Sequence, residues 1–554
     1  MGRVSNPVEA TSDDEPSSGR LAWIWASPPD ETLSALFRSL ERDDVPQPRV
    51  VLKHNANRTV WRVPGAGNAG LIVKRFHGRS GEGFKTWLLG DRAEREFRAM
   101  QDFCRAGLPS ARPVAWCEVR GQGREPGSWF VSREVEGATT VAQELARHSP
   151  DGPAVVALAE RLIDLVVELH QHPFWHRDLH AGNILLAGNG RLVIIDLHSM
   201  WRVPVLRRRH RLENLARLIF SLRSVMNLDR LPDLAARYAR LRDEDEAEVV
   251  ADISRALDAF ERDFVRGKSA RCMRNSSEYV GERRSGSRTH RRRSYAADLL
   301  TKDLAAHDVL VTSGGQLLSD ARASRVSLIE GGGSGRVVKE YLRTGFGPAL
   351  RARLGFGRAR GSWRFARRCR VQGVPTPEAL ALLERRLGKA WLVTAEVPGA
   401  IDVTTWAEAL PAGALGTPSR HAVAFALGHL VGRLSRAGLK HPDMSAKNLL
   451  LATGEPEPVI DLRLRPPDGL PRVELVDLDN MRRAAPFDEA VMARMLGQLG
   501  DTPRVTRTDR LRFARGVFAA TGRKLSAEVV TRADTHTRNR RDRREAMEAT
   551  RRSR

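Results

Sequence analysis

Apolar and polar positions in the first half of the chain alternate as in strands and then recur with a helical spacing. Four segments have the length and alternation of strands and are separated by polar turns: 50–54, 59–63, 70–76 and 129–134. Residues 91–106 place apolar side chains three or four positions apart and stop at Gly107, and 154–170 is a strongly apolar helical stretch. Strands followed by helices predict an α+β fold with a small β-rich part and a larger helical part.

The second half of the chain repeats this order of elements. The segment His176-Arg-Asp-Leu-His-Ala-Gly-Asn-Ile-Leu-Leu186 is matched by His441-Pro-Asp-Met-Ser-Ala-Lys-Asn-Leu-Leu-Leu451. At the same offset Leu-Ile-Val-Lys74 is matched by Arg-Val-Val-Lys339, and two shorter matches follow the same order. One such match could arise by chance, but four in order predict that a whole domain is duplicated.

Composition divides the chain into five segments. A single core rarely exceeds roughly 250–300 residues, so two domains are expected for 554 residues. Both ends are poor in apolar side chains, and 266–296 is basic and polar, with a short hairpin as one interpretation of 277–283. A solvated helix is an alternative for 538–552. We predict a disordered tail at 1–20, a first domain at 21–265, a basic linker at 266–300, a second domain at 301–532 and a disordered Arg-rich tail at 533–554.

The charge and cysteine content restrict the partners and the compartment. The net charge is +24, which favours anionic partners such as phosphorylated substrates or acidic lipids, although abundant arginine explains it equally well. Charge alone does not indicate nucleic acid, which is not an expected partner. No run of about 20 apolar residues and no secretory signal is present, and the four cysteines form no CxxC pair. A cytoplasmic protein is therefore expected, with peripheral contact at the anionic inner face of the cytoplasmic membrane.

A loop rich in oxygen ligands carries the candidate chemistry. Asp178 and Asn183 lie five residues apart after a histidine, and Asp196 ends a later apolar run. Phosphoryl transfer needs a carboxylate that orients the attacking hydroxyl and accepts its proton, together with oxygen ligands for Mg²⁺. The alternative is that Asp178 and Asn183 cap a turn. The second half repeats the pattern, so the candidates are Asp178 and Asp443 for catalysis and Asn183, Asp196, Asn448 and Asp477 for the metal.

Two strand lysines precede these loops at equal spacing. Lys74 and Lys339 lie in apolar β runs, where a buried ammonium is costly unless it meets an anion. We expect them to bind the phosphates of ATP, with Glu96 on the following helix holding Lys74 by an ion pair and Glu94 as the competing candidate. In the second copy the position of Glu96 is occupied by Ser362 or Gly361, and no carboxylate lies nearby in the sequence.

Further candidates concern the adenine and the phosphates of ATP. Glu134 and Glu396 end the presumed hinge strands, where adenine would bond to the backbone. Asn55–Arg58 and Gly331–Gly335 are the positional candidates for covering the phosphates. Gly331–Gly335 is equally interpreted as a flexible turn.

The loop sequences resemble a known group. HRDLHAGNILL with IIDLHSM, and HPDMSAKNLLL with LVDLDNM, are similar to the lipopolysaccharide core kinases, the Kdo/heptose kinase superfamily that includes InaA-type proteins. The helix and G-x-P segments of both halves resemble the same group. This resemblance implies two tandem protein-kinase-like bilobal domains, ATP with Mg²⁺, and a sugar hydroxyl of a glycolipid as the acceptor. By the same resemblance Asp178 is the catalytic base, Asn183 and Asp196 bind the metal, and Lys74 binds ATP.

Several alternatives remain open from the sequence. No A-P-E segment follows Asp196, which favours a small or lipid-linked acceptor over a peptide, and Arg207–Arg211 could attract an anionic headgroup or form a solvated turn. The leading function is an ATP-dependent phosphotransferase acting on a sugar or glycolipid. A Ser/Thr protein kinase is the second hypothesis. A pseudokinase scaffold is the third, especially for the second copy, where Pro442 replaces Arg177 and the helix carboxylate is missing.

Overall fold

The computed structural model divides the chain into two compact units, residues 1–261 and 262–554. It describes residues 21–552 apart from 56, 66–69, 79–90, 120–125, 228–229, 285, 332–334, 343–356, 386–388, 410–418, 453–468 and 503–504. The tail predicted at 1–20 lies outside the described residues.

Unit 1 begins with a six-stranded antiparallel sheet in the order β1-β5-β6-β4-β3-β2. Two small sheets follow, one of β10-β9-β7 and one of β11-β8. The strands are β1 Ile24–Trp25, β2 Val50–Asn55, β3 Arg58–Val63, β4 Leu71–His77, β5 Pro113–Val119, β6 Gly127–Arg133, β7 Thr139–Thr140, β8 Phe174–His176, β9 Ile184–Leu186, β10 Leu192–Ile194 and β11 Met200–Arg202.

Helices of unit 1 cover the sheet and build the body beyond it. Asp91 caps the helix that begins at Arg92, since its carboxylate accepts the N–H of Ala93, and this helix packs against β5 and β6 with Phe97 and Met100 buried. The helices are α1 Glu31–Glu41, α2 Arg92–Arg105, α3 Val141–Leu145, α4 Pro153–Leu169, α5 Arg208–Ser221, α6 Leu231–Leu241 and α7 Glu246–Ala270, the last of which crosses the border between the units.

Unit 2 begins with a seven-stranded antiparallel sheet in the order β12-β13-β17-β18-β16-β15-β14. Small sheets of β19-β21-β22 and β20-β23 repeat those of unit 1. The strands are β12 Tyr279–Arg284, β13 Ser287–Arg292, β14 Ser319–Ala321, β15 Ser324–Ile329, β16 Arg336–Tyr341, β17 Ala379–Arg385, β18 Ala390–Ala395, β19 Ile401–Asp402, β20 Leu439–Lys440, β21 Leu449–Ala452, β22 Arg472–Leu475 and β23 Arg482–Arg483.

The helical part of unit 2 is built on a close contact between two helices that contain glycine. These helices are α11 and α13, where a Cβ atom at Gly516 would lie 2.8 Å from the backbone nitrogen of His429, so only glycine permits the approach. The helices of unit 2 are α8 Ala297–Thr312, α9 Arg358–Val371, α10 Val403–Ala409, α11 Arg420–Arg436, α12 Glu489–Leu499, α13 Arg507–Thr521 and α14 Ala527–Arg552.

The prediction of a linker at 266–300 is wrong. Helix α7 continues through 266–270, β12 and β13 form a hairpin that joins the sheet of unit 2 through β17, and α8 begins at Ala297. The hairpin suggested for 277–283 therefore exists with a longer span. The basic side chains misled the prediction because an antiparallel strand needs only one apolar face, and here Tyr279 and His290 supply the buried positions.

The disorder predicted for the Arg-rich tail at 533–554 is also wrong for 533–552, where the alternative of a helix holds. Helix α14 packs on α12, and Ala533 and Thr537 are buried in that contact. Thr537 also donates a hydrogen bond to the Gly497 carbonyl oxygen at 3.0 Å. The helix is thus part of unit 2.

Candidate active sites

A buried ion cluster in unit 1 joins β4, α2 and the turn after β10. The Lys74 Nζ lies 2.6 Å from a carboxylate oxygen of Glu96 and 2.7 Å from one of Asp196. Arg58, at the start of β3, donates two hydrogen bonds to the Asp196 carboxylate at 3.2 and 2.7 Å. Glu94, the competing candidate, pairs instead with Arg98 on the surface of the helix. The cluster thus holds two cations and two anions behind the sheet.

The charges of this cluster determine the pKa values of its members. Burial alone would lower the pKa of Lys74, but the carboxylates of Asp196 and Glu96 outweigh it, so the pKa is raised and Lys74 stays charged. Burial raises the pKa of Glu96 despite the neighbouring Lys74. For Asp196, Lys74 and Arg58 overcome the effect of burial and hold the pKa well below its usual range. Asp196 is therefore ionised at neutral pH.

The loop between β8 and β9 presents Asp178 and Asn183 together. The Asn183 side-chain nitrogen donates to the main-chain oxygen of Asp178 at 2.9 Å, and Asn183 is 6% exposed whereas the Asp178 side chain is 55% exposed. His176 lies behind the loop, where its Nδ1 accepts the N–H of Asp178 at 3.0 Å. An exposed carboxylate beside a fixed amide is suited to meet an incoming hydroxyl group.

Main-chain hydrogen bonds link this loop to Asp196. The N–H of Ile195 donates to the Asn183 carbonyl oxygen at 2.9 Å, and the N–H of Ile194 donates to that of Pro109 at 2.9 Å. The same pair of bonds recurs in unit 2, from Val476 to Asn448 and from Leu475 to Pro375, each at 3.0 Å. The repeated G-x-P motif therefore has a structural function, because its proline carbonyl anchors the strand before the metal-candidate aspartate.

Both metal-candidate aspartates have a left-handed backbone. Asp196 has φ 60° and Asp477 φ 57°, a conformation that residues other than glycine rarely adopt and that recurs at functional sites. Because the Asn183 nitrogen donates to Asp178, its Oδ1 remains as an acceptor, and oxygen donors such as this amide and the Asp196 carboxylate suit Mg²⁺. Glu96, Asp196 and His198 also place one ligand atom each within 4.8 Å of one another. The residues present fit a divalent cation.

The corresponding cluster in unit 2 has a different composition. The Lys339 Nζ lies 2.6 Å from a carboxylate oxygen of Asp477 and 2.9 Å from one of Asp479. Ser362 occupies the helix position of Glu96, as one of the sequence alternatives had it, and no carboxylate lies near it in the sequence, but one approaches it in the fold. Asp479 fills that place from the turn after β22. Sequence reasoning missed it because residues 339, 362 and 479 meet only in the fold.

Asp443 and Asn448 repeat the loop geometry in unit 2 with a more open setting. The Asn448 side-chain nitrogen donates to the Asp443 carbonyl oxygen at 2.9 Å. His441 contributes a different bond from His176, since its Nε2 donates to the Asp477 carbonyl oxygen at 2.9 Å. Arg540 of α14 lies 3.4 Å from the Asp443 carboxylate, whose side chain is 58% exposed. The second loop therefore has its aspartate next to a cation of the C-terminal helix.

The two hinge glutamates occupy equivalent positions. The N–H of Glu134 donates to the Gly70 carbonyl oxygen at 2.7 Å, and that of Glu396 donates to Gly335 at 2.9 Å. Each carboxylate lies where a Cβ on the facing glycine would collide with it. The side chain of Glu134 also pairs with Arg62 at 2.6 Å. These glutamates thus connect the end of one strand to the start of another.

The two segments considered for covering the phosphates are described to different extents in the structure. Arg58, the last residue of Asn55–Arg58, contacts Asp196 in the cluster of unit 1, and Arg58 itself was not singled out from the sequence. Most of Gly331–Gly335 lies outside the described residues, since 332–334 are not described. In unit 2, Ile329 pairs with Arg336 at one end of β15 and β16, and Ser324 pairs with Tyr341 at the other end. In unit 1 Arg58 pairs with Phe76 at that other end. The end of the unit 2 pairing that corresponds to Arg58 is thus the one at Ser324.

The arginines at 207–211 are engaged within unit 1. Arg208, in the first turn of α5, lies 2.7 Å from Asp252 and 3.5 Å from Glu244, and Arg211 lies 3.0 Å from Glu244. Neither the solvated turn nor the headgroup site expected there describes these two residues. No helix in the described part of the chain is both long enough and apolar enough to cross a bilayer.

In class, each unit is a mixed α+β body with a sheet, a helix that carries a buried position facing the strand lysine, and a loop that bears an aspartate and an asparagine. The sequence model of the lipopolysaccharide kinase (Kdo/WaaP) family matches residues 83–247 and again 319–516. The chain belongs to this family, and the two matched regions agree with a tandem duplication.

Curated relatives carry the names of sugar kinases. A 3-deoxy-D-manno-octulosonic acid kinase of Xylella fastidiosa (strain M12) is 30% identical over 148 residues, which are 26% of this chain and 56% of that protein. The lipopolysaccharide core heptose(I) kinase WaaP of Pseudomonas aeruginosa PAO1 is 30% identical over 216 residues, 37% of this chain and 77% of that protein. The chain thus spans little more than half the length of the first of these relatives.

Among solved structures, one described as WaaP in complex with acyl carrier protein is similar to this chain. It is 23% identical, has a TM-score of 0.31, and the match covers 41% of this chain and 88% of that chain.

Proposed function

We propose that the chain is an ATP-dependent kinase that phosphorylates a hydroxyl group of a sugar or glycolipid similar to the lipopolysaccharide core. The observation that carries the proposal is the convergence of Lys74, Glu96 and Asp196 within 2.6–2.7 Å contacts, close to the loop of Asp178 and Asn183. Membership of the lipopolysaccharide kinase family and the names of the relatives support the class of acceptor.

In unit 1 each candidate side chain would have a separate role in the transfer of the phosphoryl group from ATP. Lys74, positioned by Glu96, would bind the phosphates of ATP, and Glu134 at the hinge would meet the adenine through its backbone. Asp178 would orient the acceptor hydroxyl and accept its proton as the hydroxyl oxygen bonds to the γ-phosphorus, while ADP leaves with the electrons of the broken P–O bond. The exposure of Asp178 suits contact with an acceptor from solution.

A divalent cation, with Mg²⁺ as our proposal, would be held in unit 1 by Asp196 and Asn183. It supplies positive charge beside the triphosphate. Asp196 is ionised in this structure because Lys74 and Arg58 stabilise its charge, so it is ready to act as a ligand without first losing a proton. Once nucleotide is bound, these two cations have phosphate oxygens as alternative partners.

We further propose that each unit is a bilobal protein-kinase-like domain. The repeated order of sheet, helix, loop and aspartate supports this, and the equivalent residues of unit 2 are Lys339 for ATP, Glu396 for the hinge, Asp443 for catalysis and Asn448 and Asp477 for the metal. We also propose a cytoplasmic location at the anionic inner face of the membrane. A lipid-linked acceptor would lie there, and the protein's net charge of +24 favours contact with an anionic surface.

Transfer of labelled phosphate from Mg-ATP to purified lipid A–core tests the proposal. We expect Asp178→Asn to lower the rate by about 10²–10⁴-fold, since a general base typically contributes that much. Asp258→Asn, an exposed position on α7, is the matched control and should retain the rate. Asp443→Asn, tested separately, measures the share of unit 2. An undiminished rate in Asp178→Asn would contradict the role of unit 1, and label on the protein's own serines or threonines would favour a protein kinase.

A further inference from the structure

The carboxylate that holds the strand lysine comes from different elements in the two units. In unit 1 it is Glu96 of α2, which is fully buried, and the position two residues after Asp196 is His198. In unit 2 the helix position is Ser362, and the position two residues after Asp477 is Asp479, whose side chain is 2% exposed. The carboxylate that pairs with the strand lysine is thus supplied by the helix in unit 1 and by the turn in unit 2.

A third position changes together with these two. Phe76 of β4 stands against the ring of His198 at 6.3 Å between centroids, whereas the equivalent residue of unit 2, Tyr341, donates a hydrogen bond from its hydroxyl to Asp479 at 2.6 Å. The hydroxyl that Tyr341 has and Phe76 lacks therefore donates to the carboxylate that Asp479 has and His198 lacks. Three separate elements therefore differ in one consistent way.

Asp479 has a complete set of hydrogen-bond donors. One oxygen accepts from the hydroxyls of Tyr341 and Ser362, at 2.6 and 2.7 Å. The other accepts from Lys339 at 2.9 Å and from Arg358 at 2.7 Å. Glu96 by comparison has one buried oxygen with no partner among the described residues. Full satisfaction of a buried carboxylate fixes its position, and that in turn fixes the ammonium of Lys339.

We infer that unit 2 is a second nucleotide site in which Asp479 is the positioning residue for Lys339, as Glu96 is for Lys74. The inference rests on the proposed function, since it assumes that the strand lysines bind the phosphates of a nucleoside triphosphate. Arg358 and Ser362 lie in the first two turns of α9, so Asp479 also connects this helix to the turn that carries Asp477. Lys339 is therefore oriented without a helix carboxylate.

Photolabelling of the full-length protein with 8-azido-ATP and Mg²⁺, followed by mass mapping of the labelled peptides, reports each unit separately. In the wild type we expect saturable labelling of peptides from both units. Asp479→Asn should weaken labelling of unit 2 by about tenfold or more, because a hydrogen bond to a charged group is lost, and should leave unit 1 unchanged. Asp308→Asn, exposed on α8, is the control and should change neither.

A rescue variant separates positioning from a merely structural role. Glu96 reaches Lys74 from the helix position of Ser362, so Asp479→Asn combined with Ser362→Glu should restore much of the labelling of unit 2. Amide hydrogen exchange of β15 and β16 checks that each variant is folded. Loss of labelling without rescue in a folded protein would assign Asp479 a structural role only and overturn the inference, as would normal labelling in Asp479→Asn.

The same experiment distinguishes this inference from the proposed function. Labelling confined to unit 1 in the wild type would overturn the second site and leave the kinase proposal intact. Labelling of neither unit would contradict the proposed function itself.

Discussion

Single residues in both units show how a buried ammonium is kept charged. Lys74 has side-chain exposure of 8%, and two carboxylates compensate the loss of its hydration. Its partners come from a helix and a turn that are far apart in the sequence. The cluster therefore contributes to the stability of unit 1 as well as to its chemistry.

Removal of Lys74 should destabilise unit 1. In Lys74→Met the buried Glu96 carboxylate loses its cation, and removal of one partner of a buried ion pair costs about 3–5 kcal/mol of the free energy of unfolding. Urea unfolding followed by hydrogen exchange in α2 measures this cost. Lys53→Met, at an exposed position of β2, should change the free energy by less than about 0.5 kcal/mol. Equal effects of the two substitutions would contradict the prediction.

His170 predicts a loss of stability in acid. Its Nδ1 lies 2.9 Å from the Tyr238 hydroxyl and its Nε2 lies 3.2 Å from the Asn214 oxygen, with Arg211 and Arg242 as the nearby charges. Burial lowers the pKa of His170 to about 3, which the hydrogen bond to Asn214 only partly offsets. Because this pKa lies below the ordinary value, His170 costs no free energy of unfolding above about pH 6.5. Its cost grows as the pH falls from 6.5 towards 3.

The size of this effect can be measured by substitution. At pH 4 the unfolded state binds a proton that folded His170 does not, which costs about 3 kcal/mol. His170→Gln should therefore show a smaller loss of unfolding free energy between pH 7 and pH 4 than the wild type, by about that amount. Parallel curves for the two proteins would show that His170 does not titrate in this way.

Packing between elements depends on glycine at the contact of α11 and α13. Gly516 faces Phe425 and His429, and Gly428 faces Phe513, with backbone atoms at distances that a Cβ could not share. Gly516→Ala should force the helices apart and lower the free energy of unfolding of unit 2 by about 1–3 kcal/mol. Thermal unfolding measures this change.

A matched control exists on another helix. Gly361 of α9 has no atom within 4 Å of its hypothetical Cβ, so Gly361→Ala should raise stability by about 0.5–1 kcal/mol through helix propensity. A loss of stability at Gly361 similar to that at Gly516 would indicate that close approach is not the cause.

Elements with local signals were predictable from the sequence. The helix predicted at 91–106 is observed at Arg92–Arg105, because Asp91 and Gly107 mark its ends by chemistry that acts within a few residues. The hairpin of β12 and β13 was not recognised in full, because its partner β17 is distant in sequence and its outward face is basic. At the site, Lys74 and Asp178 could be found from spacing. Arg58 and Asp479 could not, since their partners are known only after folding.

At the scale of the whole molecule, the sheet of unit 2 begins before the border that composition suggested. Strand β13 is paired on both sides, with β12 and with β17. Hydrogen exchange of the full-length protein should therefore show protected amides at 287–292, comparable with those of β17 and far slower than in a free linker. Exchange of these amides within seconds would contradict the position of the hairpin in the sheet.

The exchange of acids between Glu96 and Asp479 constrains how one copy could have changed into the other. Each lysine also pairs with Asp196 or Asp477, so a single substitution leaves it with either three carboxylates or only one, and both states are costly. A hydroxyl at position 341 reduces the first cost, because it solvates the incoming acid before the old one is lost. The order of substitutions that limits both costs is therefore Tyr341 first, Asp479 second and Ser362 last. Ancestral proteins reconstructed along this order should remain folded at each step.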